Sequence, residues 1–316
     1  MTYNYDPELL PYVKGIKDNP MDDPVEARVT FEAMIKANVP PANVEGLFVE
    51  DHSVPGFDGA PPVTVRVYKP QTPHEQPGPA LLHIHGGGFV IGSIDADHAT
   101  AASFARGLNC VVVSVEYRLA PENPYPAPLH DCYAAMLWMR SSAAESYIDP
   151  TRIAVNGVSA GGGLASALTL FMRERGDDPL CFQLLNIPEV DDRLQTPSAT
   201  QFIDTPIWNR PKAKVSWTYH LGDLERGSDD VPPTAAPARA KDLTGLPPAY
   251  ICVMEFDPLR DEGIAYASQL MKDGVSVELH SYPGTFHGSA MFPVAVSKRQ
   301  FHEMLQALKK GLGITL

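Results

Sequence analysis

The 316-residue sequence contains only four cysteines, Cys110, Cys132, Cys181 and Cys252, and no two of them form a C-x-x-C pair. That argues against a cysteine-built zinc site and a thioredoxin-like redox motif. Three of them lie in apolar strand-like runs and one in a helix-like run, so buried free thiols are expected. No apolar run approaches the ~20 residues of a membrane span. The N-terminus, Met1-Thr-Tyr-Asn-Tyr-Asp-Pro, lacks a basic stretch leading into an apolar one, so no secretory signal is expected. A cytoplasmic location is the expectation that follows. Basic residues are scarce: 25 Lys and Arg against 38 Asp and Glu give a net charge of -13. Such a surface repels phosphate backbones and anionic headgroups, so neither nucleic acid nor a membrane is an expected partner. H-E-x-x-H, a P-loop and a dinucleotide-binding glycine fingerprint are also missing, so no metal and no organic cofactor is expected. Neither a solenoid repeat nor a low-complexity tract is visible.

What the chain does contain is an alternation of strands and helices. Residues 24–38 carry apolar residues at Val25, Val29, Ala33, Ile35 and Ala37, closer to helical than to strand spacing. Residues 44–50 and 63–68 alternate apolar with polar, as a half-exposed edge pair does. Residues 80–84 and 110–115 are continuous apolar runs, as buried parallel strands are. Further strands are expected at 153–156, 181–187, 249–254 and 275–280. Helices are expected at 97–108, 129–140, 160–175, 261–272 and 297–310. This order predicts an α/β fold: a mostly parallel sheet with helices on both faces. Residues 188–247 break the rhythm, being long, rich in proline and only partly helical. The expected organisation is an N-terminal cap segment at 1–40, a catalytic domain in two parts at 41–189 and 226–316, and a cap insertion at 190–225. The two cap segments would sit over the sheet's C-terminal edge, where such sheets bind ligands.

Three stretches carry chemistry. Gly157-Val-Ser-Ala-Gly161 fits G-x-S-x-G and stands between an expected strand and an expected helix. In that context Ser159 is a nucleophile on a tight turn, and the Ala160 N–H beside it is a candidate oxyanion donor. His85-Gly-Gly-Gly88 follows the strand at 80–84. Glycines there let backbone N–H groups approach a developing oxyanion. An acid and then a histidine must follow the serine. His287 follows the last expected strand, whereas His280 lies within that strand and His302 on the terminal helix. Asp257 stands past the strand at 249–254, with Glu255, Asp261 and Glu262 as competitors. Asp261 and Glu262 fall where a helix begins, so they could cap it or pair with Arg260. With these groups, His287 would take the Ser159 proton, Asp257 would orient the imidazole, and activity would fall as the base protonates at acidic pH.

On these residues the chain resembles the hormone-sensitive-lipase-like esterases, the bacterial family IV carboxylesterases. The shared stretches are His85-Gly-Gly-Gly-Phe-Val-Ile-Gly-Ser, Tyr117-Arg-Leu-Ala-Pro-Glu, Gly157-x-Ser-Ala-Gly-Gly, Asp257-Pro-Leu-Arg-Asp-Glu and His287-Gly. They run in family order from about residue 80 to 290. The resemblance implies an α/β-hydrolase fold with a small helical cap and action on small-molecule esters of short to medium acyl chains. It supports Asp257 as the triad acid, and Gly87, Gly88 and Ala160 as oxyanion donors, with Gly86 shaping the loop. Pro188-Glu-Val-Asp-Asp-Arg resembles a subgroup in which this stretch opens the cap. Dimers are frequent in the family, so a homodimer is an arrangement the resemblance allows. The family often has Asp, in some members Thr, where this chain has Val158. The elbow tolerates any residue there, but the polar contact made by that Asp is lost.

Two other readings share the scaffold. Plant gibberellin receptors resemble this family and bind small molecules without a complete triad, and His287 separates the present chain from them. Lactone or amide hydrolysis uses the same machinery, so sequence alone does not separate it from ester hydrolysis.

Overall fold

The computed structural model describes residues 3–16, 21–72, 77–142 and 147–315. Residues 1, 2 and 17–20 of the expected cap segment, with its break at Pro20, lie outside these. The strands are β1 Leu47–Val54, β2 Val63–Pro70, β3 Gly78–Ile84, β4 Val111–Glu116, β5 Ile148–Val158, β6 Phe182–Asn186, β7 Ala249–Phe256 and β8 Val277–Phe286. The helices are α1 Leu10–Val13, α2 Pro24–Asn38, α3 His98–Leu108, α4 Ala127–Ser141, α5 Ala160–Arg175, α6 Pro197–Gln201, α7 Arg210–Leu221, α8 Arg260–Lys272 and α9 Ala295–Gly311. Among the described residues the strands form one eight-stranded sheet in the order β1-β2-β4-β3-β5-β6-β7-β8. Among the described residues only β1–β2 and β2–β4 pair antiparallel; the alternating patterns expected of an edge pair fall on β1 and β2. This is the α/β-hydrolase fold.

All seven residues of β3 are buried, because both faces of the central strands are covered. Leu82 and Ile84 pack into the larger core with Leu129 of α4, Leu168 of α5 and Leu270 of α8. Leu81 points the other way, into a core shared with Phe104 of α3 and Leu308 of α9. Burial of one such leucine contributes about 2 kcal/mol by removing it from water. After β3 the chain moves first to β4 on one side and then to β5 on the other. That switch leaves a crevice beyond the C-terminal ends of β3 and β5, and the sequence places its glycine-rich turns there.

Among the elements whose bounds differ from the sequence reading are the first and last strands. The strand expected from residue 44 starts at Leu47. Asn43 accepts the Glu45 N–H at 3.0 Å and Gly46 adopts φ +77°, so a turn uses these residues first. The strand expected to end at 280 continues to Phe286. Pro283 and Gly284 look like breakers, but β8 pairs only with β7 and is an edge strand, where proline is tolerated. On α2, Val25 and Val29 of the apolar pattern are exposed at 66% and 65%, whereas Ile35 of that pattern, with Phe31 and Met34, turns toward a cavity over the sheet edge. The helix itself starts as its sequence dictates: Asp23 accepts the Val25 and Glu26 N–H groups, and Pro24 opens the first turn. Among the described residues no helix is long and apolar enough to cross a membrane.

Candidate active site

Ser159 stands between the end of β5 and the start of α5 with φ 56° and ψ -119°. A non-glycine residue there stores about 1–3 kcal/mol of backbone strain. Hydrogen bonds to the neighbouring backbone hold the turn. The Ser159 N–H donates to Asn186 O at 2.8 Å, while its carbonyl accepts from Gly163 N at 3.0 Å and Glu189 N at 3.1 Å. The flanking glycines are steric requirements. A Cβ on Gly157 would lie 2.0 Å from Gly161 O, and one on Gly161 would lie 2.2 Å from Ile84 O and 2.4 Å from His85 O.

His287 follows directly on β8 and Asp257 directly on β7, and both are buried. His287 Nε2 lies 2.9 Å from Ser159 Oγ, and His287 Nδ1 lies 2.7 Å from Asp257 Oδ2. An ionised carboxylate only accepts, so Nδ1 carries the proton and Nε2 presents its lone pair to the serine hydroxyl. The other Asp257 oxygen accepts the Leu259 N–H at 2.8 Å. The competing acids are occupied elsewhere. Glu255 accepts the Gly284 N–H at 2.6 Å. Asp261 pairs with Arg260 at 2.7 Å and accepts the Ser198 N–H at 2.8 Å. Glu262 is not a helix cap but accepts the N–H groups of Val190 at 2.7 Å and Asp191 at 3.1 Å. His280 lies within β8, beside Glu278 and Glu303.

The loop after β3 folds against the elbow: a Cβ on Gly86 would lie 2.9 Å from Val158 O and 3.5 Å from Ser159 Cβ. His85 lies flat on Tyr117, ring centroids 4.2 Å apart. Its Nδ1 donates to Gly86 O at 2.8 Å, and burial lowers its pKa to about 4, so the ring is neutral at pH 7. The Gly87 carbonyl accepts from Val90 and Ile91. Among the described residues the N–H groups of Gly87, Gly88 and Ala160 have no hydrogen-bond partner. Three free donors around a serine at a helix N-terminus suit a developing negative charge.

Above these groups lies a cavity of about 370 Å³. Phe31 and Met34 of α2, Trp208 before α7, and Met304 of α9 line it together with Ser159 and His287. Trp208 was not singled out in the sequence; its ring centroid stands 5.7 Å from that of His287. A Cβ on Gly88 would lie 2.3 Å from Trp208 Cη2, so the tryptophan packs directly on the glycine loop. Val158 also reaches this cavity and presents an apolar surface beside Ser159. Among the described residues no cluster of three or more His, Cys, Asp or Glu has the arrangement of a metal site.

Comparison with known proteins places this arrangement in a family. A family model described as the alpha/beta hydrolase fold matches residues 81–291. The chain is 41% identical over 276 residues to the carboxylesterase NlhH of Mycobacterium tuberculosis, covering 86% of each chain. It is 37% identical over 286 residues to the esterase LipI of the same organism, covering 90% of this chain and 87% of that one. A solved structure described as a bacterial heroin esterase superposes with a TM-score of 0.95 at 49% identity, covering 98% of both chains. The chain therefore belongs to the hormone-sensitive-lipase-like carboxylesterases of the α/β-hydrolase superfamily.

Proposed function

We propose that this carboxylesterase works through an acyl-enzyme on Ser159, with His287 as general base and acid and Asp257 as its orienting carboxylate. The observation that carries the reading is the buried hydrogen-bonded chain from Ser159 through His287 to Asp257, at 2.9 Å and 2.7 Å. His287 Nε2 removes the hydroxyl proton as Ser159 Oγ attacks the acyl carbonyl. The carbonyl oxygen becomes an oxyanion, and the N–H groups of Gly87, Gly88 and Ala160 stabilise it. The imidazolium, held by Asp257, returns its proton to the departing alkoxide. A water molecule then repeats the sequence on the acyl-enzyme and releases the acid.

The described residues of 1–40, with 190–225, act as the cap. Phe31 and Met34 from the first and Trp208 from the second cover the serine. The largely apolar space of about 370 Å³ suits acyl chains of short to medium length. A panel of p-nitrophenyl esters of increasing acyl length, run on wild type and Ser159→Ala, tests the proposal. Turnover should be highest near butyrate and hexanoate and absent from the variant. Faster hydrolysis of long-chain triglycerides would overturn the chain-length reading, and unchanged turnover in the variant would overturn the nucleophile.

A further inference from the structure

Glu189, in the stretch Pro188-Glu-Val-Asp-Asp-Arg that opens the insertion, is fully buried and plays no part in the proton transfers above. Its backbone N–H donates to the Ser159 carbonyl at 3.1 Å, tying it to the elbow. Its side chain reaches the other way, to α7 of the insertion, where Oε1 lies 3.3 Å from Ser216 Oγ. Ser216 Oγ also lies 2.8 Å from the carbonyl of Gly88, in the glycine loop. A serine hydroxyl has one proton. The Gly88 carbonyl can only accept and is the nearer partner, so it takes that proton. A hydrogen bond between Ser216 and Glu189 then requires the proton of a neutral Glu189.

The surroundings favour such a neutral acid. Glu189 Oε2 is buried without a hydrogen-bond partner among the described residues, a costly place for a charge. The titratable groups electrostatically coupled to it are Asp257 beyond β7, Glu262 on α8 and Tyr117 beyond β4, none of them a cation. From α7 it meets Ser216, and from α5 its backbone meets Gly163. Burial raises its pKa to about 8, with the Ser216 hydroxyl opposing the rise and Asp257 adding to it.

We propose that Glu189 is a positioning residue: as a carboxylic acid it donates to Ser216, whose hydroxyl grips the Gly88 carbonyl and fixes the oxyanion loop beneath the cap. The inference rests on the reading of Gly87 and Gly88 as oxyanion donors. When Glu189 ionises it becomes an acceptor and draws the Ser216 proton to itself. Gly88 then loses its hydrogen bond to α7, and the loop is held less firmly. The protonated form is the active one, so activity is lost as pH rises through about 8.

The test is the pH dependence of kcat and KM for p-nitrophenyl butyrate, from pH 6 to 10, on wild type, Glu189→Gln and Ser216→Ala. Wild type should lose kcat above about pH 8, with KM changing little. The glutamine amide still donates to Ser216, so Glu189→Gln should keep kcat at pH 7 within about threefold and lose the alkaline limb. Ser216→Ala should lower kcat about 10-fold at every pH through misplacement of the loop, with little change in KM. An alkaline limb unchanged in Glu189→Gln, or a wild-type kcat in Ser216→Ala, would overturn the proposal. Failure of the underlying triad reading shows itself elsewhere, as turnover persisting in Ser159→Ala.

Discussion

Two walls of the cavity are built differently. At the sheet edge, Ser159 sits in a strained turn locked by backbone hydrogen bonds and by glycines with no room for a methyl group. Opposite it, α2 buries a single residue, Ala27. It is tied down largely by Arg28, which donates to Val90 O at 2.8 Å and Ala120 O at 3.0 Å and pairs with Glu122 at 2.7 Å. The edge is fixed by covalent geometry and close packing, the lid by a few polar tethers over apolar side chains. Changes at the edge should therefore alter the chemistry, and changes in the lid should alter which esters reach it. The insertion stands between the two: Trp217 and His220 of α7 are buried, and His220 stacks on Phe89 of the glycine loop at 3.8 Å.

The contrast would break first at Ser159. Ser159→Ala should lower kcat/KM by at least about 10⁴-fold while leaving the melting temperature unchanged, since the residue's structural anchors are backbone groups. Comparable loss from a lid substitution would erase the distinction. Gly161→Ala comes next. Its methyl would need to occupy space 2.2 Å from Ile84 O. The backbone must shift, which should cost about 1–3 kcal/mol of stability and displace the serine from both partners. Urea unfolding together with ester turnover checks both effects.

Acid should loosen the seam between edge and insertion. His85 and His220 are both buried, and burial lowers their pKa values to about 4 and about 3. Each then takes up a proton more readily when unfolded. Their stabilising contribution is complete above the unfolded value near pH 6.5 and is lost as pH falls toward the folded values. The melting temperature should drop between pH 6.5 and 4, and less steeply in His220→Phe, which keeps a ring on Phe89. The smallest effect belongs to α2. Met34→Ala enlarges the cavity, so kcat/KM for octanoate relative to butyrate should rise a few-fold without a change in the pH profile. A large drop for butyrate as well would mean that α2 helps to order the edge.

The two walls also differ in how plainly the sequence announces them. The elbow obeys local rules: a strand, G-x-S-x-G and a helix force one backbone path, and the glycines mark where atoms nearly touch. His287 could be named because it follows the last expected strand, and Asp257 because it follows the strand expected at 249–254 and opens the family's Asp-Pro-Leu-Arg-Asp-Glu stretch. The lid obeys longer-range rules. Val25 and Val29 belong to the helical pattern of α2, yet they are exposed, while Arg28 ties the helix to residues 90 and 120. Trp208 and Ser216 lie in a segment with no periodic signal, and their place on the glycine loop depends on how that segment folds back. The extension of β8 through Pro283 and Gly284 depends on its being an edge strand, which is a property of the whole sheet.

The central claim is that the acyl group passes through Ser159 Oγ, and a quenched-turnover mass measurement tests it most directly. Wild-type protein mixed with p-nitrophenyl butyrate, quenched in acid within milliseconds and digested, should carry a butyryl group on the peptide containing Ser159. Ser159→Ala treated in the same way should carry none. A butyryl group on any other residue during turnover, or turnover at wild-type rate in Ser159→Ala, would contradict the account.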